Sequence, residues 1–286
     1  MNTTPEEVAA SLQKHLNSHG HAFQQAVLRR IKTLTGPKRS HWTLIGSEFP
    51  VTLNGTGTHA DIVLWSSNRD VILVGECKRA NPSHSHWAFA KAPPTQRPAA
   101  SQVILEQFET TVDYTYTGLE LDAQSSESGP FHLSASLKSG QSGDQEGQSV
   151  RQIDEAISQL FRATSGYIHH FFARSSVHLA SKSAYPLTFV PVIFTTAKLW
   201  VTDCDIGTAD LTSGNLDAGK IQLQPVDWLW FNHNRSQLLS HEFQVQTVKT
   251  ELETDLERLF TRSLAVVSVS GIERFLSRDL LSLFES

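Results

Sequence analysis

The sequence predicts an α/β fold, and three observations carry that prediction. A helical stripe opens the chain, three strand-like runs follow it closely, and a second helical stripe leads into one more buried strand. A three-strand meander followed by a helix and a further strand is an α/β sandwich order. At 286 residues, the chain can bury one large core or two small ones. The element order reads as a single domain.

Residues 5–33 predict one or two helices. Thr4 is the N-cap and Pro5-Glu6-Glu7 a favourable first turn. Gly20 breaks or bends the segment, and Phe23, Val27, Leu28 and Ile31 then recur at helical spacing. Gly36-Pro37 ends that element. The strands of the meander are Trp42 to Val51, Asp61 to Trp65, and Val71 to Lys78. The third begins apolar on both faces, as a central strand does. Trp87 to Ala90, Val103 to Leu105 and Tyr114 to Leu121 are short strand candidates. Gln124 to Ser149 is rich in Ser, Gly and Gln and reads as a mobile insertion containing one edge strand.

Order returns at 151. Ile153, Ala156, Ile157, Leu160, Phe161, Thr164 and Ile168 form a helical stripe, and Leu187 to Thr196 a buried strand. A turn then leads into Lys198 to Val201. Residues 205–220 are loop-like, Val226 to Phe231 is a strand, Thr250 to Phe260 a helix, Ser263 to Val269 a late strand, and Gly271 to Phe284 a terminal helix. The expected organisation is one domain over 1–286. Its core is 5–80 and 151–202, with a flexible insertion at about 81–150 and a C-terminal α/β extension at 203–286.

Composition narrows the function classes. No apolar run approaches the roughly 20 residues needed to cross a bilayer. The opening MNTTPEEVAASLQKHLN is polar and acidic, unlike a secretory signal. Cys77 and Cys204, the two cysteines, are too few for a disulfide scaffold. A soluble cytoplasmic protein with no membrane partner is expected. The net charge of −5 hides a segregation. Residues 8–47, 79–105 and 156–202 hold 13 Lys and Arg and no Asp or Glu, while all 29 acids lie elsewhere. Arg29, Arg30, Lys32, Lys38 and Arg39 are the densest basic group. Such a local field suits phosphate, although cations at a helix end also suit its dipole.

The chemistry concentrates in His59-Ala60-Asp61-Ile62-Val63-Leu64-Trp65 and Gly75-Glu76-Cys77-Lys78. On a strand Glu76 and Lys78 share one face and Cys77 the other. In an antiparallel hairpin the start of one strand lies beside the end of its partner, which places Asp61 near Glu76 and Lys78. Two adjacent carboxylates repel, and a divalent cation removes the repulsion; hard oxygen ligands suit Mg²⁺. Lys78 beside it is placed to orient a water attacking phosphorus and to offset developing charge. The competing reading is a surface ion pair of Glu76 with Lys78 or Arg79 at a strand end.

Asp61, a gap of fourteen residues, and Glu76-x-Lys78 together resemble the core motif of the PD-(D/E)xK nuclease superfamily. The element order resembles its α-β-β-β-α-β core, a mixed sheet flanked by helices in the restriction-endonuclease-like fold. The first helix would be 20–33, the meander 42–78, the second helix 151–172 and the fourth strand 187–196. The resemblance implies a Mg²⁺-dependent endodeoxyribonuclease, with Mn²⁺ as substitute, acting in phage defence, restriction or repair. It implies Asp61 and Glu76 as metal ligands and Lys78 as the residue that positions the nucleophile.

Two features depart from the pattern. Many members carry a Glu on the first helix, where this chain has Gln24 and Gln25; either one holds a metal-bound water or is a surface polar residue. The usual Pro before the Asp is also absent. Glu48, on the first strand, reads as a strand-end surface residue or a further carboxylate of the site. Gln159 and Arg162 share a face of the second helix, and Gln159 is the candidate there. The nucleic-acid contacts expected are Arg29, Arg30, Lys38, Arg39, Arg79 and Gln159. DNA is the expected partner, with RNA open, and a homodimer or protein partner in addition. Two alternatives stand beside the nuclease: an inactive nucleic-acid-binding protein on the same fold, and an interaction module of a defence system. His84-Ser85-His86 and His169-His170 lack ligands at zinc spacing. No G-x-S-x-G elbow and no P-loop occur.

Overall fold

A computed structural model describes residues 4–18, 20–35, 41–53, 55–66, 70–91, 99–108, 111–120, 131–137, 146–175, 185–217, 219, 221–233 and 263–280. The chain starts with helices α1 (Pro5–Ser18) and α2 (His21–Leu34). Thr4 and Glu7 cap α1 reciprocally: the Glu7 amide donates to Thr4 Oγ1, and the Thr4 amide to Glu7 Oε2. Gly20 separates the helices with φ 75°, a conformation cheap only for glycine. The meander follows as β1 (Trp42–Leu53), β2 (Thr56–Ser66) and β3 (Val71–Lys78), paired antiparallel in order. Helix α3 (Glu146–Ser175) leads to β8 (Tyr185–Thr195), which lies parallel to β3 from Val71–Thr188 to Lys78–Thr195.

The other strands are β4 (His86–Lys91), β5 (Ala99–Phe108), β6 (Thr111–Glu120), β7 (Phe131–Leu137), β9 (Lys198–Thr202), β10 (Gln224–Val226), β11 (Trp228–Asn232) and β12 (Ser263–Ser268). Among the described residues all twelve form one mixed sheet. Its main path runs β1-β2-β3-β8-β12-β11-β7-β4-β9-β10. One edge of β8 meets β3. The other is shared, with β5 antiparallel along Tyr185 to Phe189 and β12 parallel along Val192 to Thr195. The fold is thus α/β, a mixed sheet flanked by helices.

The two sheet faces bury different helices. On one, Val27 and Ile31 of α2 pack with Ile62, Leu64, Leu73, Cys77 and Phe194, together with Ile272, Phe275 and Leu276 of the C-terminal turn. On the other, Ala163, Tyr167 and Ile168 of α3 pack with Val63, Ile72 and Val74. The first half of α3 covers Phe89, Leu199, Phe231 and Val266. Alternation along β3 follows directly: Cys77 faces α2, and Glu76 and Lys78 lie on the α3 side.

The stretch 81–150, expected as a flexible insertion with three short strand candidates and one edge strand, contributes four strands within its described residues, and β4 and β7 pair with each other inside the sheet. The physical reason is visible in β4. A six-residue strand needs only two large apolar side chains on one face, and Trp87 and Phe89 are those two, both fully buried. The expected C-terminal extension is likewise part of the sheet, because β12, buried along its whole length, pairs directly with β8. The expected helix Thr250 to Phe260, most of Gln124 to Ser149, and the candidate contacts Lys38 and Arg39 lie outside the described residues.

Candidate active site

Asp61, Glu76 and Lys78 come together where the β2–β3 ladder ends. The last paired residues are Ile62 and Gly75, so the next step outward sets Asp61 across from Glu76. Gly75 belongs at that point for a packing reason: a Cβ there would stand 3.0 Å from the Phe194 ring. In place of the next ladder bond, the Asp61 carboxylate takes the backbone, and the Cys77 amide donates to Asp61 Oδ2 at 2.7 Å. The other carboxylate oxygen is held from α2, where Gln24 Nε2 donates to Asp61 Oδ1 at 3.1 Å. Gln24 is only 6% exposed. The amide therefore turns inward and orients Asp61.

From the opposite face α3 supports Lys78. Its Nζ donates to Gln159 Oε1 at 3.4 Å and lies 3.9 Å from Glu155 Oε2. Gln159 thus belongs to the group. Glu155, four residues earlier on the same helix face, escaped the sequence reading although the i, i+4 spacing would have shown it. His21, one turn before Gln24 on α2, also acts electrostatically on Asp61. Glu48 of β1 acts on Asp61 as well.

The electrostatics are those of two crowded carboxylates. Burial pushes the Glu76 carboxyl up to about 8, and the Asp61 charge adds to the rise while Lys78 opposes it. Asp61 is raised as well, chiefly by burial, against the Cys77 amide, with Glu48 adding to the rise and His21 and Lys78 opposing it. The Cys77 thiol is pushed well above its usual range by burial and by both carboxylates. Such a shift disfavours the thiolate.

A metal fits this arrangement on one observation. Glu76 is 9% exposed, and its carboxylate accepts no hydrogen bond among the described residues. A carboxylate buried beside another is costly unless a cation balances it. The oxygen donors of Asp61 and Glu76 suit a hard divalent ion. Among the described residues no three His, Cys, Asp or Glu side chains converge closely enough to hold a metal as they stand.

The basic candidates are dispersed. Arg29 is exposed on α2. Arg30 is turned to an ion pair with Glu273 of the C-terminal turn. Arg79 is half-buried, and its carbonyl accepts from Gln152 Nε2 on α3 at 3.0 Å. No described helix is long and apolar enough to cross a membrane. Comparison with protein families, curated proteins and solved structures finds no match to this chain.

Proposed function

We propose that this protein is a metal-dependent nuclease that hydrolyses DNA phosphodiester bonds on a restriction-endonuclease-like core. One observation carries the reading: Asp61, Glu76 and Lys78 meet at the end of two adjacent strands, with Gln24 and Gln159 reaching them from helices on opposite faces. The order α2, β1-β2-β3, α3, β8, with β8 parallel to β3, supports the same fold reading. Asp61 and Glu76 would hold Mg²⁺ or Mn²⁺. The chemistry such an ion supplies is a lower pKa for water and neutralisation of charge at the phosphate. Lys78 orients the attacking water and offsets the charge that builds on the phosphate oxygens. Gln24 and the Cys77 amide fix the Asp61 carboxylate, and Gln159 and Glu155 hold the Lys78 ammonium in place.

The test is cleavage of circular single- and double-stranded DNA with Mg²⁺ or Mn²⁺. Cutting is expected from the wild-type chain and is lost with EDTA or in Lys78→Ala, while the circular dichroism of that variant is unchanged. Cutting by Lys78→Ala at the wild-type rate would overturn the mechanism. A second reading, a nucleic-acid-binding protein without nuclease activity, draws on Gln24: the helix presents a neutral amide to Asp61, not a further acid. Metal-independent DNA binding without cutting would favour it. The interaction-module reading needs Asp61 and Glu76 apart, and their adjacency gives it no support.

A further inference from the structure

Strand β1 carries two local irregularities, and both act on one residue. The β1–β2 register slips by one between Leu44 and Gly46. Before the slip Leu44 faces Leu64; after it Ser47 faces Ile62 and Phe49 faces Ala60, so Glu48 stands across from Asp61. Without the slip that place would fall to Ser47. Bulges re-aim side chains and gather beside active sites. Glu48 itself has φ 48°, the left-handed region, which is uncommon for a residue with a Cβ and costs stability within a strand. Neither irregularity turns the chain, since β1 continues to Leu53. Local strain of this kind persists where a site requires it.

The surroundings point to a ligand. Glu48 is exposed, and its carboxylate has no hydrogen bond or ion pair among the described residues. On the inner side Glu76 is nine-tenths buried and equally without a hydrogen-bond donor among the described residues. Lys78 and His21 are the described cationic groups that act on Asp61. Asp61 thus interacts with a carboxylate on either side, Glu48 and Glu76, and Lys78 is the cation that offsets the charge of Glu76.

We propose that Glu48 is a third carboxylate of the divalent-cation site, presented by the bulge and the left-handed backbone of β1. This rests on the reading of Asp61 and Glu76 as the pair that holds the cation. In this structure Glu48 stands outside that pair, and its backbone position faces Asp61.

The experiment measures Mn²⁺ binding by the full-length chain without nucleic acid, by electron paramagnetic resonance of the free ion. Melting of the metal-free protein is followed alongside. Wild type is expected to bind Mn²⁺, and Asp61→Asn to lose that binding. Glu48→Gln is expected to weaken it by about tenfold or more. Glu48→Gly is expected to weaken binding similarly while raising the metal-free Tm, because glycine relieves the left-handed strain. Wild-type affinity in both Glu48 variants, with Asp61→Asn inactive in binding, would overturn the role of Glu48 and leave the Asp61–Glu76 pair standing. No Mn²⁺ binding by the wild type would overturn both.

Discussion

Glu76 closes a strand that is otherwise apolar, and its burial has a consequence that pH can read. Its carboxyl sits near 8 in the folded chain against an ordinary 4.5, with burial the larger cause and Asp61 the next. The folded state therefore holds a proton that the unfolded state releases. Stability from this group is fully present below about pH 4.5 and is lost as pH rises through about 8. The raised Asp61 acts in the same direction. The metal-free Tm is expected to fall between about pH 5 and pH 8 and then level, as seen by thermal melting at a series of pH values. Glu76→Gln should flatten that slope, and added Mg²⁺ should restore stability at pH 8 in the wild type alone. Parallel slopes in wild type and variant would show that Glu76 is not the cause.

At the scale of elements, the site depends on how closely α3 approaches the meander. Gly166 lies two turns beyond Gln159 on α3, and a Cβ there would stand 2.9 Å from Val51 Cγ2 and 3.0 Å from Val51 Cβ. Val51 is buried on β1 and stiff at χ1, so it cannot swing aside cheaply. Gly166→Ala is expected to destabilise the fold by about 1–3 kcal/mol in urea melts, because overpacking pushes helix and strand apart. It should also loosen Lys78, since Gln159 and Glu155 ride on the same helix. The ion pair of Arg30 with Glu273 is different. Both side chains are more than half exposed, and such a pair contributes at most about 1 kcal/mol.

For the whole molecule, the charge segregation matters more than the net −5. Exposed Arg29 on α2 and half-buried Arg79 after β3 lie in acid-free stretches of the chain, while the acidic residues lie outside those stretches. A phosphate-binding surface of this kind loses affinity steeply as salt rises, through release of counterions. Duplex DNA binding, followed by fluorescence anisotropy over a salt series, is expected to weaken linearly on a log–log plot. Arg29→Ala should reduce the slope by about 1, which is the signature of one lost phosphate contact. An unchanged slope would remove Arg29 from the interface. Arg30, already paired with Glu273, is expected to change the slope less.

The local elements around the site follow from residue order alone. Gly20 breaks the first helical region because glycine alone takes that φ cheaply, and the apolar run of β3 predicts a strand covered on both faces. Alternation on that strand puts Glu76 and Lys78 on one side and Cys77 on the other, so Asp61, Glu76 and Lys78 were legible together from hairpin geometry. Other features were settled only by tertiary structure. Gln24 turns inward because α2 packs across the end of β2, and a helical period cannot say which neighbour a polar residue meets. Glu48 faces Asp61 because of a one-residue register slip, which leaves no mark in composition or spacing. The roles of β4, β7 and β12 within the sheet were hidden for a similar reason. Strand pairing is a long-range choice made by hydrogen bonding and shared burial, and short strands carry too little periodic signal to announce their partners.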